Sequence, residues 1–254
     1  MNRIRRSDIE WVYINLANRQ DRDAETRKQC ERVGISAERF EAHTSSEWNG
    51  GSELFTHHSK PGQIGCSLSH LALIEDAKHR NGIVGILEDD VMLCEDFSER
   101  MQYVEDVFDK PWDIFFLHAS FHLRPVWHRD TLGKDFELTD TKHIARVYGL
   151  WCTQSYLVNC ESAEKIQRVL IRNIHHAHAI DHAYILSQPD LNCFCFVPGM
   201  TAQFDNWSDI TCTESTYSGF FPLGPHVYCE HLDEFDYDNF LDLVKNEYSP
   251  NAND

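Results

Sequence analysis

The chain has 254 residues, with 23 Lys and Arg against 41 Asp and Glu, which gives a formal net charge of −18. Nucleic acids and anionic membrane surfaces are bound mainly through Lys and Arg, so this charge argues against both as partners. Hydrophobic residues make up 42% of the chain, enough for a globular core, and the length suits one large domain or two small ones.

The sequence does not show the pattern of a membrane span or a secretory signal. The longest apolar run, Ile83–Leu87, is far shorter than the roughly 18 residues that a spanning helix needs. Residues 1–6 include three Arg but are followed by polar residues rather than an apolar core. The nine Cys are an odd number without a C-x-x-C pair, which favours reduced thiols. We therefore expect a cytoplasmic protein with no transmembrane segment.

The first 62 residues predict a strand, a helix, a second strand and a loop. Trp11–Leu16 is rich in β-favouring residues and predicts a strand, and the charged segment that follows to Val33 suits an exposed helix. Gly34 ends that helix, and Arg39–Ala42 is a candidate second strand. Thr44–Gly62 is polar and predicts a long surface loop.

The next segment combines a helix with the most apolar strand of the chain. Apolar residues recur every three or four positions from Ile64 to Ala77, which predicts a helix that ends near Asn81-Gly82. Ile83–Leu87 is apolar at almost every position, as a strand covered on both faces would be. Further along, Phe97 to Phe108 has helical spacing and Asp113–Leu117 predicts another strand.

The second half has a looser pattern that begins with a polar stretch at 128–143. Ser155–Val158 predicts a strand, Glu161–Ile171 a helix and Cys193–Val197 a last strand. The alternation of strands and helices favours an α/β layer fold. We expect a single domain whose central sheet is mostly parallel and is flanked by helices.

We place this domain at residues 1–229 and an acidic C-terminal tail at residues 230–254. The tail contains eight acids and one Lys, with Phe235, Tyr237 and Phe240 interspersed. A lid, a dimer arm and a disordered segment all remain open as roles for it. The sequence makes no prediction of the oligomeric state.

Three carboxylates, Glu88, Asp89 and Asp90, follow directly after the buried strand Ile83–Leu87. Side chains alternate along a strand, so Glu88 and Asp90 are expected on one side and Asp89 on the other. At the carboxyl end of a central strand such a pair can hold Mg²⁺ or Mn²⁺ and, through it, a diphosphate. The alternative is a solvated acidic turn, but carboxylates beside a buried strand repel one another unless a cation offsets their charge.

Two further segments carry polar groups suited to a ligand. Arg19 and Arg22 follow the first strand closely, where cations can meet a phosphate, although pairing with acids of the same helix is the stronger interpretation of either alone. Gly62–His70 is glycine-rich but lacks the dinucleotide and P-loop patterns, so its glycines are expected to serve a closely packed helix entry. Ser69 and His70 then either face a ligand or lie in the core.

The densest group of imidazoles comprises His175, His176, His178 and His182. A zinc peptidase helix needs Glu directly after the first His of its pair, and Ala179 stands there, so a polar helix face is the better interpretation. Asp181 lies within this group and is a candidate general base. The Cys residues of the second half have apolar surroundings and are expected to be buried rather than nucleophilic.

Four blocks in a fixed order make the chain resemble glycosyltransferase family 25, the lipooligosaccharide and collagen β-galactosyltransferases. The blocks are Ile14-Asn15-Leu16 with Arg19 and Arg22, Gly62-x-Ile64-Gly65-Cys66-x-Leu68-Ser69-His70, Leu87-Glu88-Asp89-Asp90, and Trp112-Asp113-Ile114-Phe115-Phe116-Leu117. Weaker matches follow at Ser155–Val158 with Ala163, at Asp181, at Pro198 with Gln203, and at Ser208-Asp209-Ile210. The resemblance thus extends over residues 11–210.

This resemblance implies a GT-A-like fold and an inverting transfer of a hexose, with galactose as the leading candidate, from a UDP-sugar. It implies a glycan, glycolipid or hydroxylated acceptor, a role in lipooligosaccharide biosynthesis, and Mn²⁺ or Mg²⁺ as cofactor. Asp181 would be the catalytic base. The metal would be held by Glu88, Asp90 and a C-terminal His, for which His226 and His231 are the candidates. The donor would be bound by Asn15, Arg19, Arg22, His70, Asp89 and Gln203.

The chain departs from the family pattern at two places. Its acidic motif is Glu-Asp-Asp rather than a strict Asp-x-Asp, so the carboxylate that contacts the metal stays open. His118 stands where the family often has Gly, beside the expected donor pocket. Two other functions remain as alternatives, a metal-dependent phosphohydrolase of nucleotide-sugars and a non-catalytic nucleotide-sugar-binding module. Peripheral contact with a membrane is also left open.

Overall fold

The computed structural model describes residues 3–48, 55, 59–121, 136–204, 206–208, 213–215 and 228–247. Within them the strands are β1 (Ile9–Asn15), β2 (Ala37–Glu41), β3 (Ile83–Glu88), β4 (Val91–Leu93), β5 (Ile114–Phe116), β6 (Phe136–Leu138), β7 (Ile144–Val147), β8 (Ser155–Asn159), β9 (Cys193–Phe196), β10 (Thr201–Gln203), β11 (Asn206–Ser208) and β12 (Thr213–Ser215). The α-helices are α1 (Gln20–Arg32), α2 (Pro61–Ala77), α3 (Phe97–Val107), α4 (Ala163–Ile174), α5 (Ile180–Ser187) and α6 (Tyr237–Glu247).

Eight of these strands form one central sheet in the order β2-β1-β3-β8-β5-β9-β7-β6. Strands β1, β2 and β3 pair in parallel, as do β5 and β9, whereas β8 and β7 run against their neighbours. Six of the eight strands therefore point the same way, and the predicted α/β class with a mostly parallel sheet is confirmed. The insertion of β8 between β3 and β5 reverses direction in the middle of the sheet, which the alternation of elements did not predict.

Helices cover both faces of the sheet, and the two faces of β3 show how the core divides. Val84 and Ile86 belong to the core layer beneath α2, α4 and α5. Ile83 and Leu87 belong to the opposite layer, beneath α1 and α3. A strand buried on both faces was predicted from its unbroken apolar sequence, and the structure confirms it because side chains alternate between the two layers.

Several short elements were not predicted. The polar stretch 128–143 contains β6 within its described part, and β7 follows it at Ile144–Val147. Strand β4 follows the acidic triplet and pairs with β10, more than a hundred residues later in the chain. Helix α5 begins within the imidazole group at 175–182, whose spacing favoured a helix face. Strands of three or four residues are too short to show a clear periodic pattern. Pairing with segments distant in sequence therefore determines whether they form.

The acidic C-terminal segment contacts the domain through its aromatic residues. Phe240 of α6 is buried and stacks on Phe136 with 6.3 Å between ring centroids. Tyr237 contacts His143 with ring centroids 4.8 Å apart. Residues 248–254 lie outside the described part of the chain. The described helices include none that is long and apolar enough to span a membrane.

Gly65 confirms the expectation that the glycines before His70 allow a close helix entry. A Cβ at Gly65 would lie 2.6 Å from the carbonyl oxygen of His43, closer than atoms can approach. Gly65→Ala is therefore expected to lower the free energy of unfolding by about 1 to 3 kcal/mol through overpacking. Urea denaturation measures this loss. The exposed change Lys60→Ala at the same entry is the control, and equal midpoints for both variants would contradict the prediction.

Candidate active site at the carboxyl end of the central sheet

The carboxyl ends of β1 and β3 meet at one edge of the sheet, because these strands are adjacent and parallel. Ile14 is paired with Glu88, so Asn15 at the end of β1 lies beside the acidic triplet. Helix α1, which carries Arg22, starts five residues after β1 and reaches the same edge. This edge is where ligands bind in open α/β sheets, and it gathers most of the predicted site residues.

Asp89 is held by three groups from the first 26 residues. Arg22 Nη1 donates to Asp89 Oδ1 at 2.7 Å, and Asn15 Nδ2 donates to Asp89 Oδ2 at 2.8 Å. Thr26 Oγ1 donates to the Asp89 carbonyl oxygen at 3.1 Å. Burial raises the pKa of Asp89, although Arg22 opposes the shift. Both carboxylate oxygens thus have protein partners, and the pair with Arg22 ties α1 to the end of β3.

Asp90 is a buried carboxyl, 6% exposed, with weaker compensation. Gln203 Nε2 donates to its Oδ1 at 3.2 Å, and Arg22 Nη1 lies 3.6 Å from its Oδ2. Burial and the charge of Glu88 raise the pKa of Asp90 to about 7. This part of the site therefore carries more negative charge than Arg22 balances.

Glu88 points toward β8 and α2. Thr153 Oγ1 donates to Glu88 Oε1 at 2.7 Å, and His70 Nε2 lies 3.3 Å from the same oxygen. Burial raises the pKa of Glu88, but His70 and Thr153 outweigh it, so the net shift is downward. Glu88 therefore stays ionised beside Asp90, and its charge adds to the effect of burial in raising the pKa of Asp90.

Asp181 lies in the first turn of α5 and faces the same region. Its Oδ1 accepts a hydrogen bond from the backbone N–H of His182 at 2.9 Å. Burial raises the pKa of Asp181, and the charge of Glu88 adds to the increase. A half-buried carboxylate with raised proton affinity is suited to accept a proton, and the role of Asp181 as general base stays a prediction.

His70 is fully buried and forms part of a hydrogen-bonded chain of side chains. Its Nδ1 lies 2.7 Å from the Tyr156 hydroxyl, and the Tyr184 hydroxyl donates to Tyr156 at 2.9 Å. Its Nε2 faces Glu88. Of the two expectations for His70, a ligand contact or a core position, the structure gives the core position. The contact with Glu88 links His70 to the carboxyl edge of the sheet.

The remaining predicted donor and metal residues are less closely grouped. Arg19 binds Asp21 at 2.9 Å and lies 3.4 Å from the Trp207 carbonyl oxygen, so it forms the local pair that the helix pattern indicated. Arg22 instead crosses to the acidic triplet. His231 is exposed, and the N–H of its neighbour Leu232 binds the Asp96 carboxylate at 2.6 Å. His226 lies outside the described residues, so its role stays a prediction.

The imidazole group at 175–182 does not assemble a metal site among the described residues, where the one set of three candidate ligands lies elsewhere. His182 instead stacks edge-on against Trp151 with ring centroids 5.1 Å apart. This arrangement matches the polar helix face that the spacing favoured.

Sequence reasoning missed Thr153, Tyr156 and Tyr184, which support Glu88 and His70. Thr153 lies two residues before β8, Tyr156 in β8 and Tyr184 in α5. A signal was present for Tyr156, since a tyrosine in a fully buried strand must find a hydrogen-bond partner. Thr153 carries no such signal. Its contact with Glu88 depends on β8 lying directly beside β3, which the tertiary structure decides.

Asn15 connects Asp89 with a second arginine, because its Oδ1 accepts from Arg39 Nε at 2.8 Å. Asn15→Ala would leave one oxygen of the buried Asp89 without this donor. We expect the free energy of unfolding to fall by about 2 kcal/mol, as for a hydrogen bond to a charged group. Urea denaturation at constant m-value measures it, with Asn18→Ala on the exposed turn as the control. A loss no larger than that of the control would refute this role.

The chain is similar to a known protein family and to a solved structure. The family model described as glycosyltransferase family 25 (LPS biosynthesis protein) matches residues 9–184, more than half of the chain. A glycosyltransferase involved in the glycosylation of the major capsid of PBCV-1 has a crystal structure similar to this chain, with 12% identity and a TM-score of 0.35. The similarity covers 66% of this chain and 67% of that chain. No curated protein sequence matches the chain. The matched span contains Asn15, Arg22, the acidic triplet and Asp181, and the chain belongs to glycosyltransferase family 25.

Proposed function

We propose that this glycosyltransferase moves a hexose, with galactose as the first candidate, from a UDP-sugar to a glycan, glycolipid or hydroxylated acceptor. The observation that carries the proposal is the position of two carboxyls with raised pKa values, the buried Asp90 and the half-buried Asp181, which both interact with the charge of Glu88. Asp90 suits the diphosphate end of a donor, and Asp181 suits an acceptor hydroxyl.

The residues present fit a divalent cation such as Mn²⁺ or Mg²⁺. Arg22 is ion-paired with two of the three carboxylates of the triplet, so their combined negative charge exceeds its single positive charge. Both cations prefer oxygen ligands. We propose that Asp90 and Glu88 hold the cation, because the carboxylate of Asp89 is engaged by Arg22 and Asn15. When bound, the cation would neutralise the departing diphosphate.

Asp181 is the proposed base of a single displacement. The acceptor oxygen would form a bond to the anomeric carbon while the bond from that carbon to the diphosphate breaks. The hydroxyl proton would pass to an oxygen of the Asp181 carboxylate, and the configuration at the anomeric carbon would invert. The N–H of His182 fixes this carboxylate, and burial raises its proton affinity toward that needed at neutral pH.

Calorimetric titration with UDP, in the presence and absence of Mn²⁺, tests the donor and the cation together. We expect binding that requires Mn²⁺ and that is lost in Asp90→Ala. UDP binding that is equal with and without Mn²⁺, together with full activity of Asp90→Ala, would refute the proposal. To identify the sugar, the protein is incubated with UDP-galactose, UDP-glucose or UDP-N-acetylglucosamine and a pool of acceptors. The mass of the product then shows which sugar was transferred. Rapid release of UDP without any acceptor would indicate a hydrolase instead.

A further inference from the structure

Cys66, His70 and Glu88 place three different metal-binding atoms close together beneath the proposed donor site. The sulfur of Cys66, a ring nitrogen of His70 and a carboxylate oxygen of Glu88 all lie within 4.8 Å of one another. Cys66 and His70 are four residues apart on α2, so they project from one face of the helix. Glu88 ends β3, the strand that α2 covers.

The His70 ring is oriented as a metal-binding imidazole would be. Its Nδ1 is occupied by the Tyr156 hydroxyl, while its Nε2 is buried and makes no hydrogen bond within the described part of the chain. Nε2 lies 3.3 Å from Glu88 Oε1. With bonds near 2 Å, two N or O ligands of a tetrahedral zinc ion are roughly 3.3 to 3.5 Å apart, so this pair already has the spacing of two ligands.

The mixture of atoms indicates which cation the cluster suits. Thiolate and imidazole ligands favour borderline ions such as Zn²⁺, whereas Mn²⁺ and Mg²⁺ prefer carboxylate, carbonyl and water oxygens. Three protein ligands with a fourth position for water or substrate form an open site. The Glu88 side chain is 19% exposed, which leaves the cluster accessible from the sheet edge.

We propose that Cys66, His70 and Glu88 form a three-ligand site for a divalent cation of the zinc class. It shares Glu88 with the proposed Glu88 and Asp90 site and differs from that site in its ligands Cys66 and His70. Binding would release the thiol proton of Cys66 to solvent as the sulfur–metal bond forms. Tyr156 acts as a positioning residue that orients His70. The site does not depend on the proposed UDP-sugar, and Glu88 is the ligand for which the two cations would compete.

Titration of the full-length, chelator-treated protein with Co²⁺ tests the site, because cobalt reports thiolate ligation by a sulfur-to-metal charge-transfer band. We expect one equivalent of Co²⁺ to produce this band without any nucleotide, and Zn²⁺ to displace it. Cys66→Ser should abolish the band. Cys152→Ser is the matched control, since Cys152 is also half-buried near Asp181 and Glu88, and it should keep the band.

Tyr156→Phe adds a test that leaves all three ligands in place. Loss of an outer partner of a metal-bound His typically weakens metal affinity about 10- to 100-fold, and we expect a loss of this size with the cobalt band unchanged in shape. No band in the parent protein, a band that survives Cys66→Ser, or unchanged affinity in Tyr156→Phe would overturn the proposal. If Asp90→Ala loses UDP binding but keeps the band, the two sites are distinct. If UDP never binds and the band persists, only the donor proposal fails.

Discussion

Asp181→Asn is expected to lower kcat by about 10²- to 10⁴-fold, the usual contribution of a positioned general base. Asn has nearly the same shape as Asp and still presents an oxygen to the N–H of His182, so the fold and the donor affinity should remain. Steady-state kinetics gives the change in kcat, and UDP calorimetry measures the donor affinity.

The pH dependence separates a base from a positioning residue. Burial raises the pKa of Asp181, and the base must be deprotonated, so kcat of the parent enzyme should rise with pH through this raised pKa. Asp181→Asn should lose that rise. Asp190→Asn, which removes an exposed carboxylate paired with Arg172, is the control and should retain it. Equal losses of turnover and donor binding in Asp181→Asn would instead indicate a structural role.

Asp90→Asn is expected to make the protein more stable and to remove its cation-dependent nucleotide binding. The pKa of Asp90 is raised from 3.8 to about 7, so the folded state holds this proton more tightly than the unfolded chain does. The ionised form therefore destabilises the fold increasingly as pH rises from about 4 to 7, and the cost is full above pH 7. A neutral Asn avoids it.

At pH 8 we expect Asp90→Asn to gain about 1 to 3 kcal/mol of unfolding free energy, allowing for the new amide that must be accommodated. For a chain of this size each kcal/mol corresponds to roughly 2 to 4 °C in Tm. The gain should vanish below pH 4, where Asp90 is protonated in both states. Thermal unfolding between pH 4 and 8 measures it. Mn²⁺ with UDP should raise the Tm of the parent protein only, and a variant less stable than its parent at pH 8 would contradict the prediction.

Local sequence patterns were sufficient for the elements that form the centre of the fold. The apolar run Ile83–Leu87 predicted a strand buried on both faces, because alternating side chains reach both core layers. The helical spacing from Ile64 to Ala77 and the close glycine at Gly65 were also confirmed. The order of four motif blocks predicted the family, and the matching family model covers residues 9–184, which contain all four blocks.

The same patterns failed for short strands and for the direction of β8. A three-residue strand such as β4 has too few positions to show a period, and its partner β10 is distant in sequence. The residue pattern of β8 is compatible with either direction. Its sequence therefore does not show whether it runs parallel or antiparallel to β3. The sheet order decides this through backbone hydrogen bonds that link distant segments.

The sequence by itself predicted the residues of the candidate site: an acidic triplet after a buried strand, two arginines after the first strand, and Asp181. Only the tertiary structure determined which of these charged side chains form ion pairs with one another. Arg22 leaves the acids of its own helix and pairs with Asp89, whereas Arg19 stays with Asp21. The reason is physical, because charge pairing depends on distance and burial. Both are set by the parallel packing of β1 and β3, and spacing along the chain does not reveal either.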